Sequence, residues 1–566
     1  MIDLYRIGSL GDNMPTITVE QNVLSDLVSA AGFQHKIETL ENDLPLIGCD
    51  IDSCGENSLE VEIFPDRPDM LSAETLAHAM IPFLHDAKPN PELDVRTGTI
   101  KMVVENEISD IRPVIVAAVV RSVNIDDSAI KRLMDHQEKL HFSLGRRRKR
   151  ASIGVHDLAK ISPPFIVKGV SRSHSFTPLA SSKEMTIEQI LTEHSKGQEY
   201  SHLLDGMDLV PVIVDSDEKV LSFPPIINGD HTTVTSNTTD VLVDVTGWDQ
   251  RSCEVSLLLI CLQLQKLGGT VESVEVETAG KSWKIDGSPI SHKISKEEVQ
   301  SLLGRVFTEP QIVEAVRRMG GLCSVDNGEI TITLPRWRYD ILHPVDLIEE
   351  IAIGHGYDDL GEDFAKTSLS GTPRADGQLR RRINSIMQGI GLMQIQSLTL
   401  SSEDDQFHKI RWQSKGDITR ISNPITTEHT ILRQNILPGL LRLLSANRHH
   451  DLPQAIFELG TVVIDHINHT KLAFAVAQRE GGFATIRGKI QVLMRDLGCN
   501  EWSLRSISEG PWLNGRGAEI VVGETVIGQC GEIDPHVGES FELKVPLIAA
   551  EISISELKKV VNDPVL

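Results

Sequence analysis

The stretch Pro335-Arg-Trp-Arg-Tyr-Asp-Ile-Leu-His-Pro-Val-Asp-Leu-Ile-Glu-Glu-Ile-Ala-Ile-Gly-His-Gly-Tyr-Asp-Asp-Leu360 carries more information than any other in this 566-residue chain. Pro344 is suited to the first turn of a helix, where a missing N–H costs nothing. A helix that starts there sets Asp346, Glu349 and Glu350 at i, i+3 and i+4, on one face. Asp340, just before the turn, adds a fourth carboxylate. Such an oxygen-rich set is what a hard cation such as Mg²⁺ accepts. On spacing alone a second reading is open: an acidic first turn that complements the helix dipole, with Arg336 and Arg338 as nearby partners.

Outward from this segment, Pro/Gly/Asp-rich breaks fall near 85–98, 277–291 and 361–377. Between them, helical patterns such as EEVQSLLGRVF alternate with short β-branched runs such as PVIVAAVV, VLVDVTG, EITITLP and KLAFAVA. Mixed α+β domains with several separate cores are expected. The run VSLLLICLQL from Val255 reads as one buried helix, too short to span a bilayer. The opening MIDLYRIGSLGDN has neither the basic start nor the apolar core of a secretory signal. Seven scattered cysteines without zinc-ligand spacing fit a reducing compartment, so a cytoplasmic location is expected. A net charge of −25 excludes a protein that coats nucleic acid with its whole surface, so any RNA contact must be local. The one dense basic run, Arg146, Arg147, Arg148, Lys149 and Arg150, is either a solvated loop or a phosphate-binding patch. P-loop, dinucleotide-binding, HExxH and GxSxG patterns are absent.

Taken in order, the longer segments resemble the β subunit of phenylalanyl-tRNA synthetases of the archaeal/eukaryotic type, from Met14 onward. The Pro335–Leu360 segment is similar to that family's magnesium-binding module, and the resemblance places the Mg²⁺ ligands at Asp340, Asp346, Glu349 and Glu350. RPVIVAAVVRSV, LMDHQEKLHFSLGRRRKRASIGVHDLAKISPPF and SFPPIINGDHTTVTSNTTDVLVDVTG resemble its tRNA-editing domain, which hydrolyses mischarged tyrosyl-tRNA. By local motif the pocket residues correspond to Ser222, Asn228, Asp244 and Thr246; read without the family, Asn228 and Asp244 are turn and strand-end residues. No Cys or Ser nucleophile with a paired base is evident here, so positioned water is the expected nucleophile. The run 146–150 lies in this block and could guide the 3′ end of tRNA.

TTEHTILRQNILPGLLRLLSANRHH, QAIFELGTVV and WLNGRGAEIVVGETVIGQCGEIDPHVGESFELKVPLIAAEI resemble the family's class II synthetase-like domain, an antiparallel sheet flanked by helices. Its catalytic motifs are missing. Ile456, Phe457 and Glu458 stand where an Arg-x-Glu ATP clamp would be, and Gly515, Arg516 and Gly517 lack the third motif's arrangement. Arg433 and Arg516 are therefore expected in structural pairs. The turn Pro65–Met70 resembles the family's opening domain, with a helix capped at Ser72 and no ligand assigned.

The implied architecture is α+β and multidomain: an extension at 1–13 set aside, with Met14 as the start; an N-terminal α/β domain at 14–95; an editing domain at 96–275; a small α+β magnesium-binding module at 285–361; and a class II synthetase-like domain at 370–566. The appended domains of longer bacterial β subunits are not matched. The implied function is that of a phenylalanine–tRNA ligase subunit, with ATP, phenylalanine and aminoacylation on a partner α subunit in an α2β2 tetramer, tRNA(Phe) as the shared substrate, and editing on this chain. The alternative is a non-catalytic tRNA-binding or assembly scaffold.

Overall fold

The computed structural model describes residues 15–35, 39–55, 57–278, 280–361, 370–372, 374–480 and 482–561. The expected start at Met14 and the extension at 1–13 lie outside them. The chain divides into two compact units, Met1–Phe364 and Ala365–Leu566. Among the described residues no helix is long and apolar enough to cross a membrane.

In the first unit, strands Thr16–Glu20, Cys49–Cys54 and Ser58–Ile63 form an antiparallel sheet with the third strand in the middle. The strict alternation of SLEVEI puts Leu59, Val61 and Ile63 inside. Ser72 caps the helix Ala73–Leu84, its side chain accepting from the Thr75 N–H. Ahead of it, Arg67 donates twice to Asp69 at 2.9 Å in a buried pair that fixes the Pro65–Met70 turn.

Separate cores were expected for the first two blocks, but they share one. Leu59, Val61, Leu76 and Met80 are continuous with Val243, Val245 and the helix Gln250–Lys266. That helix is buried on nearly all sides from Ser252 to Leu264, so it needs partners around its whole circumference. Fully buried Glu74 ties the blocks together, accepting from Arg132 Nε at 2.7 Å and Gln263 Nε2 at 2.9 Å.

Beneath this helix lies a five-stranded sheet in the order Val95–Arg96, Thr270–Ser273, Val114–Arg121, Val241–Gly247, Ala151–Asp157. Its odd face, Ile115, Ala117 and Val119 with Leu242, packs on Met102, Phe165, Val167 and Ile213 of a seven-stranded sheet. The latter runs Ile227–Asn228, Val220–Phe223, Leu209–Val214, Phe165–Ser171, Lys101–Val104, Glu275–Thr278, Lys281–Trp283. Each of the two sheets thus ends, at one side, in a terminal strand: Ala151–Asp157 and Ile227–Asn228. A further three-stranded antiparallel sheet, Ile290–Ser295, Glu329–Leu334 and Leu322–Asp326, lies under helices Lys296–Leu303, Glu309–Arg318 and Pro344–His355.

The second unit is built on a seven-stranded sheet ordered Met393–Gln394, Gln454–Ile464, Ile467–Ala477, Leu547–Ser553, Thr525–Ile533, Trp512–Val522, Trp502–Ile507. All its pairings are antiparallel except the short first one. Period-two alternation splits the strand Ile467–Ala477 between two cores. Leu472, Phe474 and Val476 face helices Ala375–Gly389 and Phe483–Asp496, whereas Ala473, Ala475 and Ala477 face helix Leu437–Ala446.

Candidate functional site

A cavity of about 350 Å³ opens where the edge strand Ala151–Asp157 meets the Val220–Asn228 hairpin of the other sheet. One part of its wall is apolar, with Ile130, Met134, Ile153, Pro225 and Ile226. Its polar groups include Ser222, Asn228, Thr232 and Asp244. Ser222 and Asn228 are paired across the hairpin, and Ser222 Oγ donates to Asn228 Oδ1 at 3.2 Å. Asn228 Nδ2 reaches the Val155 carbonyl at 3.5 Å, bridging the two sheets. Asp244, 1% exposed, faces Gly154 across the sheet, and its Oδ1 meets His156 Nε2 at 2.7 Å.

Three of the four residues expected on this wall are on it; Thr246 is not. Its hydroxyl accepts from Arg112 Nε at 2.7 Å and meets Ser152 Oγ at 3.2 Å, and Arg112 Nη2 also donates to the Thr246 carbonyl at 2.8 Å. Arg112 is 4% exposed. Burial lowers its guanidinium to about 10 against the opposing pull of Cys253 and Asp244. Thr246 is thus held by a buried cation behind Ser152.

The basic run also needs correction. Arg146, Arg147, Lys149 and Arg150 are exposed, but Arg148 is not. Residues 146–148 turn through three successive left-handed conformations, which swings Arg148 inward. Its guanidinium donates to the Ile226 carbonyl at 2.9 Å and to Glu138 Oε1 at 2.7 Å, and lies 4.5 Å over the Tyr200 ring. It pins the cavity wall instead of meeting solvent phosphates. Glu138 completes this corner with His141. The Ile153 N–H donates to His141 Nε2 at 2.8 Å, so the ring proton sits on Nδ1, 3.3 Å from Glu138 Oε1. Burial holds His141 below its ordinary range. Burial would raise Glu138, but the bond from His141 and the charge of Arg148 outweigh it and bring the carboxyl down to about 2.

His156, Ser152, Gly154 and Arg112 were not anticipated. A signal existed in ASIGVHD, where Ser152, Gly154 and His156 recur at period two in a strand that is buried throughout. Paired with Thr246, Asp244 and Leu242, they form one face.

The acidic segment forms the expected helix, with Pro344 at its first turn. Its carboxylates do not form the expected cation cage. Arg338, 4% exposed, is gripped by two of the four: Asp340 at 2.9 and 2.5 Å and Glu350 at 2.7 and 2.6 Å. Asp346 Oδ2 caps the helix, accepting from the N–H groups of Leu342 and His343 at 2.7 and 2.6 Å. Glu349 alone projects outward. Its carboxyl is raised by partial burial and then by the charges of Asp66, Glu350, Asp346 and Asp340. All four therefore share one neighbourhood, but a guanidinium holds the centre of it. Among the described residues no three or more His, Cys, Asp or Glu side chains are placed to hold a metal ion. In this arrangement Asp340 and Glu350 turn to Arg338 and not to a common cation position.

In the second unit, Glu458 is 2% exposed and takes Arg433 Nη2 at 2.6 Å and Ser397 Oγ at 2.5 Å. Arg433 also donates to the Thr461 carbonyl at 2.9 Å. Arg516 is exposed, 3.7 Å from Glu532.

Comparison with known proteins fits this layout. Family models match for the B3/4 domain over residues 102–257, the tRNA synthetase B5 domain over 292–357, and the phenylalanyl tRNA synthetase beta chain CLM domain over 362–554. The phenylalanine–tRNA ligase β subunit of Archaeoglobus fulgidus is 38% identical over 545 residues, covering 96% of this chain and 98% of that one. The chain belongs to the phenylalanine–tRNA ligase β-subunit family. Another member, from Methanothrix thermoacetophila, is 37% identical over 546 residues, 96% of this chain and all of that one. Among solved structures, an N-terminal fragment of the Pyrococcus horikoshii phenylalanyl-tRNA synthetase β subunit is similar at 30% identity and a TM-score of 0.58. That match covers 60% of this chain and 99% of the fragment. The cavity described above lies within the B3/4 match, and the Arg338 cluster within the B5 match.

Proposed function

We propose that this chain is the β subunit of a cytoplasmic α2β2 phenylalanine–tRNA ligase, which joins phenylalanine to tRNA(Phe) at the expense of ATP. On this reading aminoacylation belongs to the α subunit, and the cavity between the two sheets of the β subunit hydrolyses tyrosyl-tRNA. The observation that carries the second part is the cavity itself, with an apolar wall wide enough to receive an aromatic ring beside Ser222, Asn228 and Asp244.

The chemistry favours such a division. An apolar synthetic pocket cannot strongly reject a substrate that merely adds a hydroxyl, so a second, hydrolytic sieve is needed. Here the ring of a mischarged tyrosine lies against Ile130, Met134 and Ile226, and its phenol meets the polar wall. Phenylalanine would leave a buried polar group of that wall without this partner, at a cost of about 1–3 kcal/mol. Water attacks the ester, and no side chain is assigned as general base. Exposed Arg146, Arg147, Lys149 and Arg150 lie beside the cavity-pinning Arg148 and guide the acceptor end. No step passes through a metal ion. In the second unit, the Glu458 carboxylate that a catalytic core would aim at ATP is bound by Arg433 and Ser397.

The test uses the chain alone and joined by the α subunit of a close relative. Alone it should form no phenylalanyl-adenylate; assembled, it should charge tRNA and clear added tyrosyl-tRNA. Adenylate formation by the isolated chain refutes the division of labour, and stable tyrosyl-tRNA in the assembled enzyme refutes editing.

A further inference from the structure

Behind Asp244 stands a side chain that does not line the cavity. His156 is fully buried, and each ring nitrogen meets an oxygen: Nε2 lies 2.7 Å from Asp244 Oδ1, and Nδ1 lies 2.9 Å from Thr232 Oγ1. Thr232 Oγ1 is in turn 2.9 Å from the Gly229 carbonyl. A carbonyl can only accept, so the hydroxyl proton goes to Gly229 and leaves Oγ1 to accept from Nδ1–H. Nε2 and Oδ1 then hold a proton between them, in a charge-assisted bond of the short, strong kind. The ring is thus fixed at both ends.

Room for this bond exists because residue 154 is glycine. A Cβ there would lie 2.3 Å from Asp244 Oδ1 and 2.7 Å from His156 Nε2. With Oδ1 engaged, Oδ2 is the oxygen left to the cavity; among the described residues no hydrogen bond to it is found. We infer that His156 is a positioning residue of this site. Anchored on Thr232, it clamps Oδ1 so that Asp244 presents Oδ2, in one rotamer, to the bound aminoacyl group. The inference rests on the editing reading of the cavity and adds to it a residue that never touches the substrate.

Single-turnover hydrolysis of tyrosyl-tRNA by the assembled enzyme tests it, with melting curves of each variant alongside. Loss of a buried charge-assisted hydrogen bond predicts a rate about 10- to 100-fold lower in His156→Ala. His156→Gln, whose amide N–H can still donate to Oδ1, should recover most of that loss. Gly154→Ala, which removes no polar group, should fall with His156→Ala. The double variant His156→Ala, Asp244→Ala should be no slower than Asp244→Ala alone, because the histidine acts only through the carboxylate. Wild-type rates in His156→Ala beside a slow Asp244→Ala overturn the clamp, as do losses that add in the double variant. A rate loss in His156→Ala that disappears at temperatures where the variant is fully folded marks the histidine as merely structural. A wild-type rate in Asp244→Ala is the distinct outcome in which the editing assignment of the cavity falls, and the clamp's purpose falls with it.

Discussion

Replacing Arg338 with methionine tests the finding that an arginine, not a cation, holds the acidic cluster together. The side chains of Arg338, Asp340 and Glu350 are 3%, 13% and 4% exposed, so the substitution strands two carboxylates in a place that water barely reaches. Methionine fills the arginine stem's volume, which separates the charge effect from a cavity effect. Breaking a buried ion pair from one side costs about 3–5 kcal/mol, much of it the penalty of the uncompensated charge. At about 2.1 cal/mol/K per residue of unfolding entropy, roughly 350 cooperative residues in the first unit convert this to a melting-point drop of about 4–7 °C. The stranded carboxylates, with Asp346 and Glu349 beside them, then have reason to take a divalent cation. Millimolar Mg²⁺ should return part of the loss in the variant by preferential binding to the folded state. It should do less to the wild type, where the guanidinium already offsets part of the pair's charge. Calorimetry of both proteins, with Mg²⁺ and with EDTA, gives the answer. A variant that melts within about 1 °C of the wild type in EDTA refutes the account of Arg338 as the organiser. A wild type that loses several degrees on chelation shows instead that a metal centre displaces the arrangement described here.

Three further predictions concern other regions. Asp244→Ala should leave phenylalanine charging by the assembled enzyme nearly intact while tyrosyl-tRNA accumulates, read by acid-gel separation of charged tRNA; clearance at the wild-type rate removes Asp244 from the site. Burial pushes the Cys49, Cys253 and Cys530 thiols up to about 12 and Cys261 higher still, whereas Cys54 is exposed. Titration of the native protein at neutral pH should therefore modify Cys54 first, and fast labelling of a buried thiol contradicts the packing. Burial also lowers His78 to about 3, with Lys266 adding to the effect, and holds His136 and His141 below their ordinary value of 6.5. Below pH 6.5 the unfolded chain binds protons that the folded chain refuses, so stability is full above that pH and falls as pH drops toward 5. Denaturant midpoints that stay flat across that window count against these buried neutral imidazoles.

The sequence by itself determined the parts whose physics is local or whose order along the chain is distinctive. β-branched runs such as PVIVAAVV and VLVDVTG became strands, and VSLLLICLQL became a helix buried nearly all round. Pro344 and Ser72 set helix starts where the chain needed no distant partner to place them. The succession of segments carried the family, since that likeness depends on hundreds of ordered positions and not on any one contact.

Only the tertiary structure decided which charges and hydroxyls meet. Arg338 and Glu350 are far enough apart in sequence for helix spacing to suggest a free acidic face; the turn between them closes the ion pair. Three left-handed residues, unreadable in a run of arginines, turn Arg148 inward while its neighbours stay in solvent. Arg112 takes Thr246 across 134 positions, and His156 takes Asp244 across 88. A buried polar group must be paired, but sequence period names only the face it occupies. Its partner is fixed by the register of strands and by the room a glycine leaves, and those exist only once the chain has folded.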